Sequence, residues 1–248
     1  MYHGFTQRKR PDDPENLFVP VAAFAEQLDH LLARKWVPLD LDAFLAILDG
    51  ESPPRRSFLV TIDDGFVSVA TQAAAILRER SVPAVLFVPT GLIGGTAAWL
   101  LLPSDEPLLD AESLRRLWGT STIEVGAHGF DHTHLLGLGE GDAQRQTGDV
   151  RTALEQVTGR PVRAFAYPFG SHDPGSRAAV RDAGYEVGFA VFDDAGRWAV
   201  SRVDVNSTDT LGSFRLKLIR GYRIWWRLLS RATPVRRAVR VTLTGGRR

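Results

Sequence analysis

Short apolar runs alternate with longer stretches of helical periodicity along most of the chain. The runs are FLVTI at 58–62, PAVLFV at 83–88, IEVGA at 123–127, RAFAY at 163–167, YEVGFAV at 185–191 and SRVDV at 201–205. Between them, residues 66–80, 111–118, 140–158 and 174–183 repeat apolar positions at i, i+3 and i+4, the spacing of an amphipathic helix. Strands that alternate with helices form βαβ units, so the pattern predicts an α/β fold around a mainly parallel sheet. At the amino end, Met1-Tyr2-His3 reads as the tail of a further strand.

Each run ends directly in residues able to do chemistry: Asp63-Asp64-Gly65, Pro89-Thr90-Gly91, His128, Pro168-Phe169-Gly170 and Asn206. In parallel α/β folds, sites gather at the carboxyl ends of strands, which predicts that these residues converge in one cleft. The connection 91–110, with Gly94, Gly95 and Trp99, is long enough to form one wall of a groove.

After residue 213 the pattern changes. Leu218, Ile219, Tyr222, Trp225, Trp226 and Leu229 recur at helical spacing, with Arg220, Arg223, Arg227 and Arg231 on the opposite side. Charge sharpens the division. The net charge is +1, but residues 214–248 hold ten Arg and one Lys with no acid, leaving 19 basic against 29 acidic groups in 1–213. The chain therefore divides into a body, 1–213, and a basic amphipathic tail, 214–248. The tail has two readings. It is a closing helix packed on the body, or it lies in a membrane interface over 214–240 with its arginines on anionic headgroups. Nothing elsewhere looks like a base-reading module, so no nucleic-acid partner is expected.

A chain of 248 residues suffices for one large α/β domain. It has no cysteine, which excludes disulfides, thiolate metal sites and cysteine nucleophiles, so any metal must use His, Asp or Glu. No signal-peptide core opens the chain and no run of about 18 apolar residues occurs. The expected location is cytoplasmic, peripheral at the membrane if the tail binds lipid. A start upstream of Met1 that carries a leader is the alternative.

Asp63 and Asp64 follow a buried run, and two desolvated carboxylates need charge partners or hydrogen bonds. A metal would supply them; the plainer reading is an Asp-Gly turn that caps the helix starting near Phe66. His128 and His132 have H-x-x-x-H spacing, which on one helical turn puts both imidazoles on one face. His134 is the competing partner, because His132 and His134 would share one side of an extended segment. Two imidazoles and one carboxylate leave coordination positions open for water and substrate, the mark of a catalytic site, with the second carboxylate free to take a proton.

The motifs TIDDGF (61–66), EVGAHGFDH (124–132) and RAFAYPFG (163–170), in that order, with YHG at 2–4 and GLIGG at 91–95, resemble the NodB-like polysaccharide deacetylases, carbohydrate esterase family four, over roughly residues 2–212. The resemblance implies a distorted (β/α) barrel with an incomplete strand count. It also implies one divalent metal, zinc by preference, and hydrolysis of acetyl groups on sugars. Carried over by position, Asp63 is the catalytic base, Asp64 the metal carboxylate, and His128 and His132 the metal imidazoles. Phe169 is the residue whose backbone N–H helps hold the oxyanion, its ring serving only to pack. The sequence departs from the family at Tyr167, where many members have the arginine that orients the base; Arg202 is the substitute it offers. Asp131 stands where Ser or Thr is usual, and the late Leu-x-His motif with its general-acid histidine is missing, leaving His3 and His172 as spare histidines. The expected activity is removal of acetyl groups from an N-acetylated sugar in a polysaccharide or lipid-linked precursor. The rival readings are an amidohydrolase of the same fold acting on a cyclic ureide or imide, and a barrel that binds sugar without cleaving it.

Overall fold

The strands are short, two to five residues each. A computed structural model describes residues 1–100, 106–191, 193–219 and 222. In chain order its elements are β1 (Gly4–Thr6), β2 (Phe18–Pro20), α1 (Val21–Ala33), β3 (Val37–Pro38), α2 (Leu41–Leu48), β4 (Ser57–Phe58) and β5 (Val60–Ile62). A π-helical turn, Val69–Ala73, leads into α3 (Ala74–Glu79), followed by β6 (Ala84–Val88), α4 (Ala111–Thr120), β7 (Ile123–Ala127) and α5 (Glu140–Gln144). A second π-helical turn, Arg145–Asp149, joins α5 to α6 (Val150–Thr158). Then come β8 (Ala164–Ala166), α7 (Pro174–Asp182), β9 (Val187–Ala190), β10 (Val200–Ser201) and α8 (Leu211–Lys217).

Six strands form one parallel sheet in the order β10-β9-β8-β7-β6-β5. Residues 1–3 lie between its two edges. Tyr2 N–H donates to Thr61 and the Tyr2 carbonyl accepts from Asp63, while on the other side Val205 N–H donates to Met1 and the Met1 nitrogen to Val203. This segment closes the curl into a distorted barrel and leaves neither edge bare. The carboxyl ends of all six strands open on the same side, which is where Asp63, His128, Pro168 and Arg202 leave the sheet.

The barrel interior is packed. Val85, Phe87, Ala164, Ala166, Val187 and Phe189 fill it, and α2 presents Leu41 and Leu45 to the same cluster. Gly126 makes room for this: a Cβ there would sit 2.6 Å from the Phe87 ring and 2.8 Å from the Ala164 carbonyl. Outside, Leu86, Val88, Val125 and Phe165 pack on the helices.

Two expectations need correcting. The helical stretches 66–80 and 140–158 are not uniform helices, because each contains a π-helical turn. The tail boundary at 213 falls inside α8, where Phe214 is buried in the core and Lys217 binds Asp209 at 2.6 Å. Of the amphipathic pattern, Leu218, Ile219 and Tyr222 are described; Arg220, Arg223, Trp225, Trp226, Arg227, Leu229 and Arg231 lie outside the described residues. No helix among the described residues is long and apolar enough to cross a membrane.

Candidate active site

Asp63 and Asp64 follow β5 without a linker, and the backbone turns left-handed at Asp64 (φ 74°) and Gly65 (φ 74°). That reversal drives both carboxylates into the barrel mouth, where they are 3 % and 2 % exposed. His128 leaves β7 in the same way. Its Nδ1 donates to the Ala166 carbonyl at 2.8 Å, which fixes the proton on Nδ1 and leaves the Nε2 lone pair facing Asp64. His132 comes from a loop, not from the expected helical turn: left-handed Gly129 (φ 74°) and His132 (φ 61°) fold the segment back on itself.

The Nε2 atoms of His128 and His132 lie 3.5 and 3.2 Å from Asp64 Oδ1, and one ligand atom from each of the three residues lies within 4.8 Å of the others. Asp64 Oδ1 is nonetheless buried without a hydrogen-bond partner. When both Nε2 atoms are unprotonated, as a ligand imidazole must be, their lone pairs and the Asp64 oxygen converge on one point and repel unless a cation lies there. The donor set, one carboxylate and two imidazoles with further positions open, fits a divalent metal at a catalytic centre. His134 is not part of it; it is exposed and stacks on the Phe169 ring at 4.1 Å.

Asp63 faces the other way and is held by Arg202, whose two guanidinium nitrogens donate to its two oxygens at 2.6 and 2.7 Å. Both side chains are almost fully buried, and the guanidinium sits 5.5 and 5.9 Å from the Phe87 and Phe189 ring centres. Arg202 thus occupies the orienting position for which Tyr167 is unsuited. The Tyr167 side chain belongs to the outer core, its hydroxyl donating to the Trp198 carbonyl.

Burial would push the Asp63 carboxyl up, but Arg202 and the nearby His128 hold it below the usual carboxylate range. Burial is likewise overcome at Asp64 by the His128 and His132 imidazoles, which keep it ionised far into acid. Among the imidazoles, burial lowers His132, whereas at His128 the Asp64 and Asp63 carboxylates more than offset burial and raise it.

These residues line a cleft of about 360 Å³ together with His3, Trp99, Phe169, Asp204, Asn206 and Tyr222. Trp99 stacks on His132 at 4.2 Å with the planes 16° apart. Phe169 is left-handed (φ 58°) in the turn Pro168–Gly170; the residue is 45 % exposed at the rim, and its ring packs on the His132 and His134 imidazoles. His3 lines the cleft with its Nδ1 buried and unbonded; His172 lies elsewhere, against the Asp193 carbonyl and Arg177. Gln146, which the sequence reading passed over, lies under the His132 loop and donates to Asp131. Its signal was a polar residue on the buried stripe of 140–158.

The family model for polysaccharide deacetylases matches residues 50–188. A poly-beta-1,6-N-acetyl-D-glucosamine N-deacetylase of Staphylococcus epidermidis is 23% identical over 222 residues, covering 81% of this chain and 77% of that protein. Among solved structures, the deacetylase PplD of Streptococcus pyogenes superimposes with a TM-score of 0.76 at 18% identity, over 88% of this chain and 96% of the other. IcaB from Ammonifex degensii gives 0.73 at 23% identity, over 90% and 94%. At these identities the structural likeness speaks for the fold.

Proposed function

Because the chain belongs to the polysaccharide deacetylase family, we propose that it is a divalent-metal-dependent hydrolase that removes the acetyl group from an N-acetylated sugar of a polysaccharide or lipid-linked precursor. The observation that carries this reading is the pairing, in one cleft, of a buried Asp64–His128–His132 set with the Asp63–Arg202 ion pair. A barrel that only bound sugar would gain little from holding two desolvated carboxylates side by side.

The ion, zinc by preference, would be held by Asp64, His128 and His132, and supplies the positive charge that makes a water acidic and polarises the acetyl carbonyl. The protein's own residues do the rest. Asp63 accepts the water's proton, and Arg202 keeps that carboxylate ionised and in one orientation. The Phe169 N–H, presented by its left-handed turn, stabilises charge developing on the carbonyl oxygen. His3 supplies the proton that the departing amine needs, filling the role for which the late histidine motif is missing. Trp99 and the Phe169 ring flank the entrance as apolar walls for a sugar face.

Acetate release from poly-β-1,6-N-acetylglucosamine and other acetylated glycans tests the reading. The expected result is turnover that disappears with a chelator and returns with a divalent ion. Asp63→Asn should keep its metal and lose about 10²–10⁴-fold in turnover, the usual contribution of general-base assistance. Metal-loaded protein without acetate release on any glycan would sink the assignment.

A further inference from the structure

The two imidazoles that face Asp64 are positioned by different means. His128 is fixed through its second nitrogen, which donates to the Ala166 carbonyl, the ordinary device for a ligand imidazole. His132 has none: its Nδ1 is buried without a partner and its backbone stands at φ 61°, a conformation costly to a residue with a Cβ. Something outside the residue must hold its segment in place.

Trp99 and Phe169 pack on the His132 ring, and the Gly129 and Phe130 carbonyls accept from Thr90 and Gly91; the side-chain hydrogen bonds on both flanks of the histidine come from one amide. Gln146 is 5 % exposed and sits on the π-helical turn Arg145–Asp149. Its Oε1 accepts the Phe130 N–H at 2.7 Å, and its Nε2 donates to Asp131 Oδ1 at 2.8 Å and to Thr133 Oγ1 at 3.1 Å. Thr133 Oγ1 donates in turn to the same Asp131 oxygen at 2.7 Å. The residues before and after His132 are thereby tied to a single side chain. Its orientation is dictated by its partners, since a flipped amide would set N–H against N–H. Gly129 belongs to the arrangement, because a Cβ there would lie 3.0 Å from Gln146 Oε1.

Val150 and Leu154 continue the same buried stripe as Gln146, and a buried amide is favourable only when fully bonded. The π-helical turn is a local irregularity of the kind that recurs at functional sites, and it is anchored by the Tyr185 hydroxyl donating to the Thr147 carbonyl at 3.0 Å.

We propose that Gln146 is a positioning residue of the metal centre, setting its affinity by holding the 130–133 segment so that His132 Nε2 faces Asp64. The inference rests on the metal-site reading above. It is tested by Zn²⁺ titration of the full chain against a chromophoric chelator, in wild type, Gln146→Leu, Gln146→Glu and His132→Ala, with melting of each metal-free protein. Wild type should bind one ion and His132→Ala should be severely impaired. Gln146→Leu should bind about 10–100-fold more weakly, the usual effect of losing an outer partner. Gln146→Glu keeps an acceptor for the Phe130 N–H but sets a carboxylate against Asp131, and should weaken binding as well. The Co²⁺-loaded Gln146→Leu protein should show an altered visible spectrum. If Gln146→Leu fails to fold, Gln146→Glu decides by the same criterion. Zinc affinity within twofold of wild type, whatever the change in melting temperature, would reduce Gln146 to a structural role while His132→Ala stayed impaired. Equal binding by wild type and His132→Ala would overturn the metal-site reading and this inference with it.

Discussion

At the residue scale, conformational strain and buried charge coincide. Of the six left-handed non-glycine residues among the described positions, three are Asp64, His132 and Phe169, each carrying a cost of about 1–3 kcal/mol that the surrounding packing must override. The Asp63–Arg202 pair is similar: two ions taken out of water are tolerable together and costly apart. Removing one partner of such a buried pair typically costs about 3–5 kcal/mol. Arg202→Met should therefore destabilise the protein by that order in urea unfolding at neutral pH. Adding Asp63→Asn to it should recover a large part of the loss, because no unpaired carboxylate remains. A double variant no more stable than Arg202→Met would show that the pair contributes by packing instead of charge.

At the scale of elements, the parallel strands supply position and the helix starts supply rigidity. Asp173 caps α7 through a reciprocal arrangement with Ser176, accepting the Ser176 N–H at 2.7 Å, and its second oxygen accepts the Gly137 N–H at 2.8 Å. It thus fastens the chain beyond His132 to the helix that follows β8. Those backbone hydrogen bonds from Ser176 and Gly137 hold the carboxyl below its ordinary value. A depressed carboxylate contributes stability above its unfolded pKa of about 3.9, and that stability is lost as pH falls through the folded value. Asp173→Ala should cost about 1 kcal/mol at pH 7. In urea titrations the gap to wild type should hold steady down to about pH 4 and narrow below it. A gap that stayed constant into stronger acid would mean that the cap's charge is irrelevant.

For the whole molecule, the question is what brings an acetylated chain to this cleft. Lys217 and Tyr222 line the cleft wall, so the basic tail begins beside it, and Leu216 and Ile219 are exposed at its root. Eight of the ten tail arginines follow Tyr222; each basic residue at an anionic membrane surface contributes about 1 kcal/mol. We propose that the tail holds the enzyme on anionic lipid, where a lipid-linked substrate would share the surface. Truncation after Tyr222 should leave zinc binding and the melting transition unchanged while abolishing co-sedimentation with anionic vesicles at low salt. Full-length protein that stays in the supernatant, or a truncated form that cannot fold, would assign the tail a structural role.

Much of this was legible in the sequence because it is local. The apolar runs that become β5 to β9, the helices between them and the placement of Asp63, Asp64 and His128 at strand ends follow from periodicity and from the rule that parallel strands present their carboxyl ends to the site; the run 201–205 is strand only at Ser201, so Asn206 ends no strand. The motif order gave the family and the barrel. What could not be read locally depends on how distant segments meet. Residues 4–57 supply α1 and α2, whose buried positions Phe24, Leu28 and Leu31, and Leu41 and Leu45, do recur at helical spacing; which part of the barrel each helix covers is set only by the fold. Arg202 is the substitute the sequence offers for the missing arginine, but only ring closure, which brings it against Asp63 139 residues away, makes its guanidinium the partner of that carboxylate. His132 was expected on a helical turn, but two left-handed residues decided its direction, and Gln146 gained its role only because a π-helical turn delivers it beneath that loop. Periodicity records which face of an element is buried; only the closed barrel determines which buried polar atoms find each other, since that depends on three-dimensional distance and on the cost of leaving any of them unpaired.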